Sequence, residues 1–329
     1  MTGSMWMPTQ PPTFANLLGW HPQPIPVLPV LALLLAVLYL WAVWRIHHTG
    51  SRWPLQRTIW WMLGVATLLL VSGTGLDGYG MELFSAHMVQ HMALSMLSPV
   101  LLALGAPMTL LLRTLPARQG GGWTARKALL GLLHSRFARF ATHPGITTSL
   151  FLMSLYGLYF TPVFDYLMGS MWGHNLMLVH FLLIGMLYFW GIMGVDPSPR
   201  RSGRGVRRFD APVLAIMELF ITVPFHAFFG VIVMMSVTPI VGFYAHPPAD
   251  WNISPLADQA LGGGIAWGFT ELPTLLVLGA LFMRWQSSST RRDRSADRKT
   301  THNGDAERLA YNAYLESLAA RDAREGSRP

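Results

Sequence analysis

His87 and His91 stand four residues apart in the run His87-Met88-Val89-Gln90-His91-Met92. On a helix that spacing puts both imidazoles on one face, with Met88 and Met92 as an adjacent stripe. A second apolar run carries His174, Met177 and His180, a third carries His226, and a fourth opens at Asp258 and holds Glu271. Imidazole with thioether is a ligand set for copper, and the thioether selects the reduced ion, Cu(I). Zinc held by imidazole and carboxylate is a second reading of the same residues. Haem between two histidines of different helices, giving an electron-transfer protein, is a third. A proton or ion path with His and Glu as relay groups is a fourth. Calcium or magnesium would require more oxygen ligands than these runs offer.

Other residue types narrow the field. The chain has no cysteine, which removes disulfides, thiolate metal sites, iron–sulfur clusters and covalently attached haem. Methionine occurs 19 times, so a protein handling copper here would rely on thioether and imidazole. A retinal Schiff base has no partner in any of these runs: the two lysines, Lys127 and Lys299, both fall in segments assigned below to the cytoplasm.

The groups must be positioned by membrane-embedded helices. Of the 329 residues 52% are hydrophobic and 12% are charged, about half the charged share of a soluble domain. Mean hydropathy is +0.36. So little charge cannot cover a soluble globule, and the chain belongs in a bilayer. A helix crosses the hydrocarbon core in about 20 residues. Seven runs satisfy this, near Pro26–Trp44, Arg57–Gly75, Met81–Leu112, Ile146–Leu167, Gly173–Gly194, Pro212–Val237 and Asp258–Trp285. The expected fold is all-α, a bundle of seven transmembrane helices. The third run contains Pro99 and Pro107 and is expected to kink or to end in a short re-entrant turn. No period-2 alternation recurs, which excludes a membrane β-barrel.

The basic residues orient the bundle. Arg45, Arg52 and Arg57 separate the first two runs, and Arg113, Arg118, Arg126, Lys127, Arg136 and Arg139 separate the third and fourth. Arg200, Arg201, Arg204, Arg207 and Arg208 separate the fifth and sixth, and the remaining ten follow from Arg284 onward. Basic loops stay inside, so the N-terminus is expected outside and the C-terminus in the cytoplasm of a plasma-membrane protein. The net charge of +8 is then topological and does not point to nucleic acid. Residues 1–25 form an extracytoplasmic segment and lack the basic start of a secretory signal. Residues 26–285 form the membrane domain, 286–303 a flexible linker, and 304–329 a tail. There Leu309, Tyr311, Tyr314, Leu315 and Leu318 recur at helical spacing, an amphipathic helix suited to lipid or a partner.

With that orientation, His91, His180, His226 and Glu271 fall at roughly 12–18 Å from the outer surface, at 1.5 Å per residue. Four helices thus place costly residues in one layer, and ionisable groups within a bilayer are functional candidates by default. Met5, Met7, Met81, Met88, Met92, Met168, Met171, Met177, Met234 and Met235 all fall on the outer side. Plainer roles compete. A lone membrane histidine often serves as a helix–helix hydrogen bond, and methionine stripes are usually packing. His174 and Asp258 lie near the outer surface, Glu218 lies nearer the cytoplasm, and His47, His48, His134 and His143 lie in basic loops. His21 and His246 are on outer Pro-rich segments.

The same residues resemble a known family. His87-Met88-Val89-Gln90-His91-Met92 is followed by Leu97-Ser98-Pro99 and Leu104-Gly105-Ala106-Pro107. His174…His180-Phe181, Gly194-Val195-Asp196-Pro197, Asp258-Gln259, Gly262-Gly263-Gly264-Ile265-Ala266-Trp267 and Glu271-Leu272-Pro273 come in the same order. From about Pro29 to Trp285 the chain resembles the CtaG-type cytochrome c oxidase assembly factors, the seven-span proteins linked to caa-type oxidases. The single-span copper chaperone that shares the name is unrelated. The resemblance implies a non-enzymatic protein that helps build active haem–copper oxidase by assisting copper insertion. It implies an oxidase subunit as partner and an extracytoplasmic copper donor. It carries over His87, His91, His174, His180, Asp258 and Glu271, whereas His226 rests on depth alone. Some relatives are fused to a copper-resistance membrane domain, which is not expected here.

Overall fold

The computed structural model describes residues 5–116, 124–199 and 210–325. Arg118 and the five arginines from Arg200 to Arg208 lie outside the described residues. Two compact units are present, Met1–Leu281 and Phe282–Pro329.

The helices are α1 Phe14–Leu18, α2 Val27–His48, α3 Leu55–Gly73, α4 Gly75–Tyr79, α5 Phe84–Met92, α6 Ser98–Leu104 and α7 Pro107–Thr114. They continue with α8 Ala125–Leu133, α9 Arg136–Ala141, α10 Pro144–Tyr159, α11 Val163–Met168, α12 Met171–Met193, α13 Asp210–Met235 and α14 Pro255–Glu325. Among the described residues there is no strand, and one isolated bridge joins Trp20 to Thr74. Among the described residues, five helical segments are long and apolar enough to cross a membrane: Val27–His48, Leu55–Gly73, Phe84–Leu104, Met171–Met193 and Val213–Met235. Their exposed faces carry large apolar side chains such as Leu33, Leu34, Leu183 and Phe220, as a lipid-facing surface requires.

The five differ from the seven expected in two places. The fourth run, Ile146–Leu167, is not one helix. It is α10 of 16 residues, then a break, then the six-residue α11. Pro162 has no N–H for the Leu158 carbonyl and so cannot continue α10, and the Thr161 hydroxyl donates to the Gly157 carbonyl at 2.6 Å. The seventh run is the start of α14, which continues helically through residues 286–303, where the sequence reads as a flexible linker. That segment has no proline and is rich in Arg, Ser and Thr. Within the second unit, Leu309, Tyr311, Tyr314 and Leu315 are exposed.

The proline-containing third run bends as its sequence requires. Between α5 and α6 the backbone opens into a π turn, Ala93–Leu97. Pro99 has no N–H for the Ser95 carbonyl, and its ring would clash there in a regular helix, so the wider turn relieves both. The Ser95 hydroxyl donates to the His91 carbonyl at 2.7 Å. Gly185 of α12 packs against the opened turn, where a Cβ would come within 2.3 Å of the Ser95 carbonyl oxygen. At Ala106 the chain enters the left-handed region (φ 53°, ψ 54°) and starts α7 at Pro107.

Two helix starts are capped from far away in the sequence. α5 has no side-chain cap at Leu83, and Asp258 of α14 supplies one, accepting the Phe84 N–H at 2.6 Å, the Ser85 N–H at 3.3 Å and the Ser85 hydroxyl. α7 is capped by Asp196, which accepts the Met108 and Thr109 N–H groups at 2.9 Å each and the Thr109 hydroxyl at 2.5 Å. Burial raises the Asp196 pKa, and the Thr109 hydroxyl and the two N–H groups draw it back.

Candidate functional site

α5, α12 and α13 carry the five histidines of interest, and α12 packs against α5, the π turn, α10, α11 and α13. The third and fifth apolar runs are therefore neighbours. His87, His91, His174 and His226 are buried, at 0, 2, 2 and 1% exposure.

Aromatic rings form its walls. His91 meets the edge of Phe181 at 4.2 Å and 90°, and Tyr159 at 5.5 Å and 90°. His226 stacks on His91 with ring centroids 6.3 Å apart and 23° between planes, and leans on Phe151 at 5.6 Å. His87 lies among Tyr159, Phe164, Phe181 and Tyr244. Its Nε2 is hydrogen-bonded to Tyr159 Oη at 2.9 Å. His174 lies close enough to His87 for their charges to interact.

Hydrogen bonding leaves most of these rings unfinished. Among the described residues, His87 Nδ1, both nitrogens of His91, His174 Nε2 and both nitrogens of His226 are buried without a hydrogen-bond partner. Leaving a buried polar atom unpaired costs roughly 1–3 kcal/mol. Nitrogen lone pairs in this state are available to a cation or a proton.

The other expected residues divide. His180 is half-buried, and its Nε2 is hydrogen-bonded to Ser154 Oγ at 2.8 Å, a link between α12 and α10. Met88, Met92 and Met177 are buried at 0, 0 and 1% exposure within the apolar core. Asp258 faces the first turn of α5, where its oxygens take up N–H and hydroxyl donors. Glu271 is exposed on α14, and among the described residues no contact joins it to the imidazoles. Glu218 accepts the Thr147 and Thr148 hydroxyls at 3.0 and 3.2 Å. Among the described residues no three of His, Asp and Glu converge tightly enough to hold an ion together.

Three further residues line or brace the site, two of them, Gln90 and Phe181, standing within the motifs that carry the family resemblance. Tyr159 and Phe181 read as ordinary apolar-run aromatics. Gln90, one residue before His91, is fully buried, and its Nε2 donates to the Val71 carbonyl and to Asp77 Oδ1, both at 2.7 Å. Asp77, beyond the end of α3, is 3% exposed, and burial pushes its pKa up to about 7 against the pull of the Gln90 bond.

Comparison with known proteins closes the question of kinship. The family model of the cytochrome c oxidase caa3 assembly factor matches residues 37–288. An uncharacterised protein of Mycobacterium bovis and one of Mycobacterium tuberculosis are each 42% identical over 317 residues. These matches cover 94% of this chain and 46% of each relative. A third, from Mycobacterium leprae, is 41% identical over 295 residues, 88% of this chain and 43% of its own length. The chain thus spans about half the length of the curated relatives it matches. No solved structure matches it. With the match extending from α2 into α14, the chain belongs to the cytochrome c oxidase caa3 assembly factor family.

Proposed function

We propose that the chain binds copper as Cu(I) at the buried imidazoles and assists its insertion into a haem–copper oxidase subunit, with no catalytic turnover of its own. The single observation that carries this reading is the set of unpaired ring nitrogens on His87, His91, His174 and His226. The stacked pair His91 and His226 supplies two donors to one space. A closed zinc site requires four protein ligands, whereas soft Cu(I) suits imidazole beside thioether. Met88, Met92 and Met177 are buried in the same helices.

The membrane placement belongs to this reading. Seven crossings, with α10–α11 and the start of α14 added to the five apolar helices, put the N-terminus outside and the C-terminus in the cytoplasm of the plasma membrane. His174, early in α12, then lies nearest the outer surface, and His91 and His226 lie deeper. Copper would enter from an extracytoplasmic donor and leave to a nascent oxidase subunit.

Purified chain loaded with Cu(I) in an anaerobic buffer tests the proposal by metal analysis and absorbance. Bound copper that disappears in His91→Gln and His226→Gln supports it. A Soret band with sharp reduced-state bands, or full copper retention in both variants, overturns it.

A further inference from the structure

At the opposite end of the bundle from His174, the α2–α3 loop and the end of α7 meet at Trp53. This indole is 5% exposed and donates its Nε1–H to Tyr39 Oη at 3.1 Å. Tyr39 in turn donates to the Gly105 carbonyl at 2.7 Å and stacks on Trp61, with centroids 4.7 Å apart. The ring is therefore a fixed platform.

Two guanidiniums lie against it. Arg57 is 5.1 Å and Arg113 5.7 Å from the ring centroid. Cation–π attraction holds each head. Asp196 lies near enough to interact with Arg57, and its oxygens also accept from Met108 and Thr109. Arg57 also stands in the first turn of α3, where the helix dipole disfavours a cation. Around the pair, Leu55, Ile59 and Leu111 are 71, 50 and 41% exposed. Two guanidiniums held against one buried indole and bordered by open apolar surface match a phosphate with acyl chains attached.

We propose that Trp53, Arg57 and Arg113 bind the phosphate of an anionic phospholipid headgroup, with Leu55, Ile59 and Leu111 contacting its acyl chains. This site is independent of the metal reading. A free phosphate shares the headgroup chemistry but gains nothing from the apolar border.

Native mass spectrometry of the full chain in detergent, titrated with phosphatidylglycerol, phosphatidylcholine and inorganic phosphate, tests the site. Wild type is expected to retain phosphatidylglycerol over phosphatidylcholine and to keep it in excess phosphate. The double variant R57Q/R113Q should bind phosphatidylglycerol at least about tenfold more weakly, given the usual contribution of each interfacial arginine. R57K/R113K keeps both charges but not the planar fork, and should recover part of the loss, which separates lost charge from a collapsed fold. R139Q, at an exposed arginine elsewhere, should bind as wild type. The proposal is overturned if R57Q/R113Q binds as wild type, if the lysine variant is no better than the glutamine one, if both lipids bind equally, or if inorganic phosphate displaces the lipid.

Discussion

Asp258 caps the helix that carries His87 and His91, with its carboxylate 2.6 Å from the Phe84 N–H, across 174 residues of sequence. The resemblance carries Asp258 over as a metal ligand, and in the structure its carboxylate caps α5. A carboxylate that accepts two N–H groups and a hydroxyl at a helix start has little lone-pair capacity left for a cation. Its connection to the imidazoles is mechanical: it fixes where α5 begins, and so where both histidines point.

The first prediction follows from that cap. Asp258→Ala should destabilise the protein by roughly 1 kcal/mol, the usual cost of an N-cap deletion, with Asp258→Asn costing less. Thermal melting in detergent reads the stability, and metal analysis of Cu(I)-loaded protein reads the site. A lower melting temperature with unchanged copper per chain fits the cap. Lost copper at an unchanged melting temperature would instead make Asp258 a ligand.

The histidines should divide by their partners. His180 already has Ser154 Oγ at 2.8 Å, whereas His91 and His226 have unpaired nitrogens on both sides of each ring. Glutamine can replace the His180 hydrogen bond but is a poor ligand for Cu(I). His180→Gln should therefore support oxidase maturation, and Ser154→Ala should cost only about 0.6 kcal/mol, typical of an interhelical membrane bond. His91→Gln and His226→Gln should lower oxidase copper content while the protein still accumulates. Normal oxidase copper in the latter two would leave these histidines a purely structural role.

Much of this was legible in the sequence, for identifiable reasons. The His87/His91 pair was readable because helical spacing fixes a shared face without tertiary knowledge. The bend near Pro99 was readable because a missing N–H has a local consequence. His226 could be placed beside His91 by depth, since membrane helices run roughly parallel and position along a helix converts to height. The roles of Asp258 and Asp196 were not readable, because their partners Phe84 and Met108 are distant in sequence and backbone N–H groups carry no residue signature. Gly185 was equally silent: it matters only because the π turn pushes the Ser95 carbonyl toward it. The break between α10 and α11 was missed because the run Ile146–Leu167 keeps its apolar character through Pro162.

Orientation gives a prediction independent of metal. On the charge distribution, the 241–252 loop is expected outside and the residues after Trp285 inside. A periplasmic or extracellular reporter inserted in that loop should be active, and one fused after Trp285 should be silent, with a cytoplasmic reporter giving the opposite pattern. Parity for seven crossings and for five is the same for the N-terminus and C-terminus. A further fusion in the loop after α11, at Gly169, distinguishes them: outside activity there requires α10 and α11 to complete a crossing together. The reverse result would reduce the bundle to its five apolar helices.

The last prediction concerns Asp77, which lies outside the membrane-spanning segments and is held by Gln90 at 2.7 Å beside His91. Burial raises its pKa from 3.8 to about 7. Because the folded carboxyl binds its proton more tightly than the unfolded one, the folded state holds more protons between these two values. Stability therefore falls as pH rises from about 4 toward about 7 and is level again above that. The full span corresponds to something on the order of 4 kcal/mol, at 1.36 kcal/mol per pKa unit. Asp77→Asn keeps an oxygen to accept the Gln90 N–H and cannot ionise. The variant should match wild type at acidic pH and melt at a higher temperature than wild type at pH above 7. Melting curves of both proteins across this range, taken as a difference, cancel the titration of the other groups. Parallel curves would show that Asp77 ionises in the folded protein as it does in the unfolded chain.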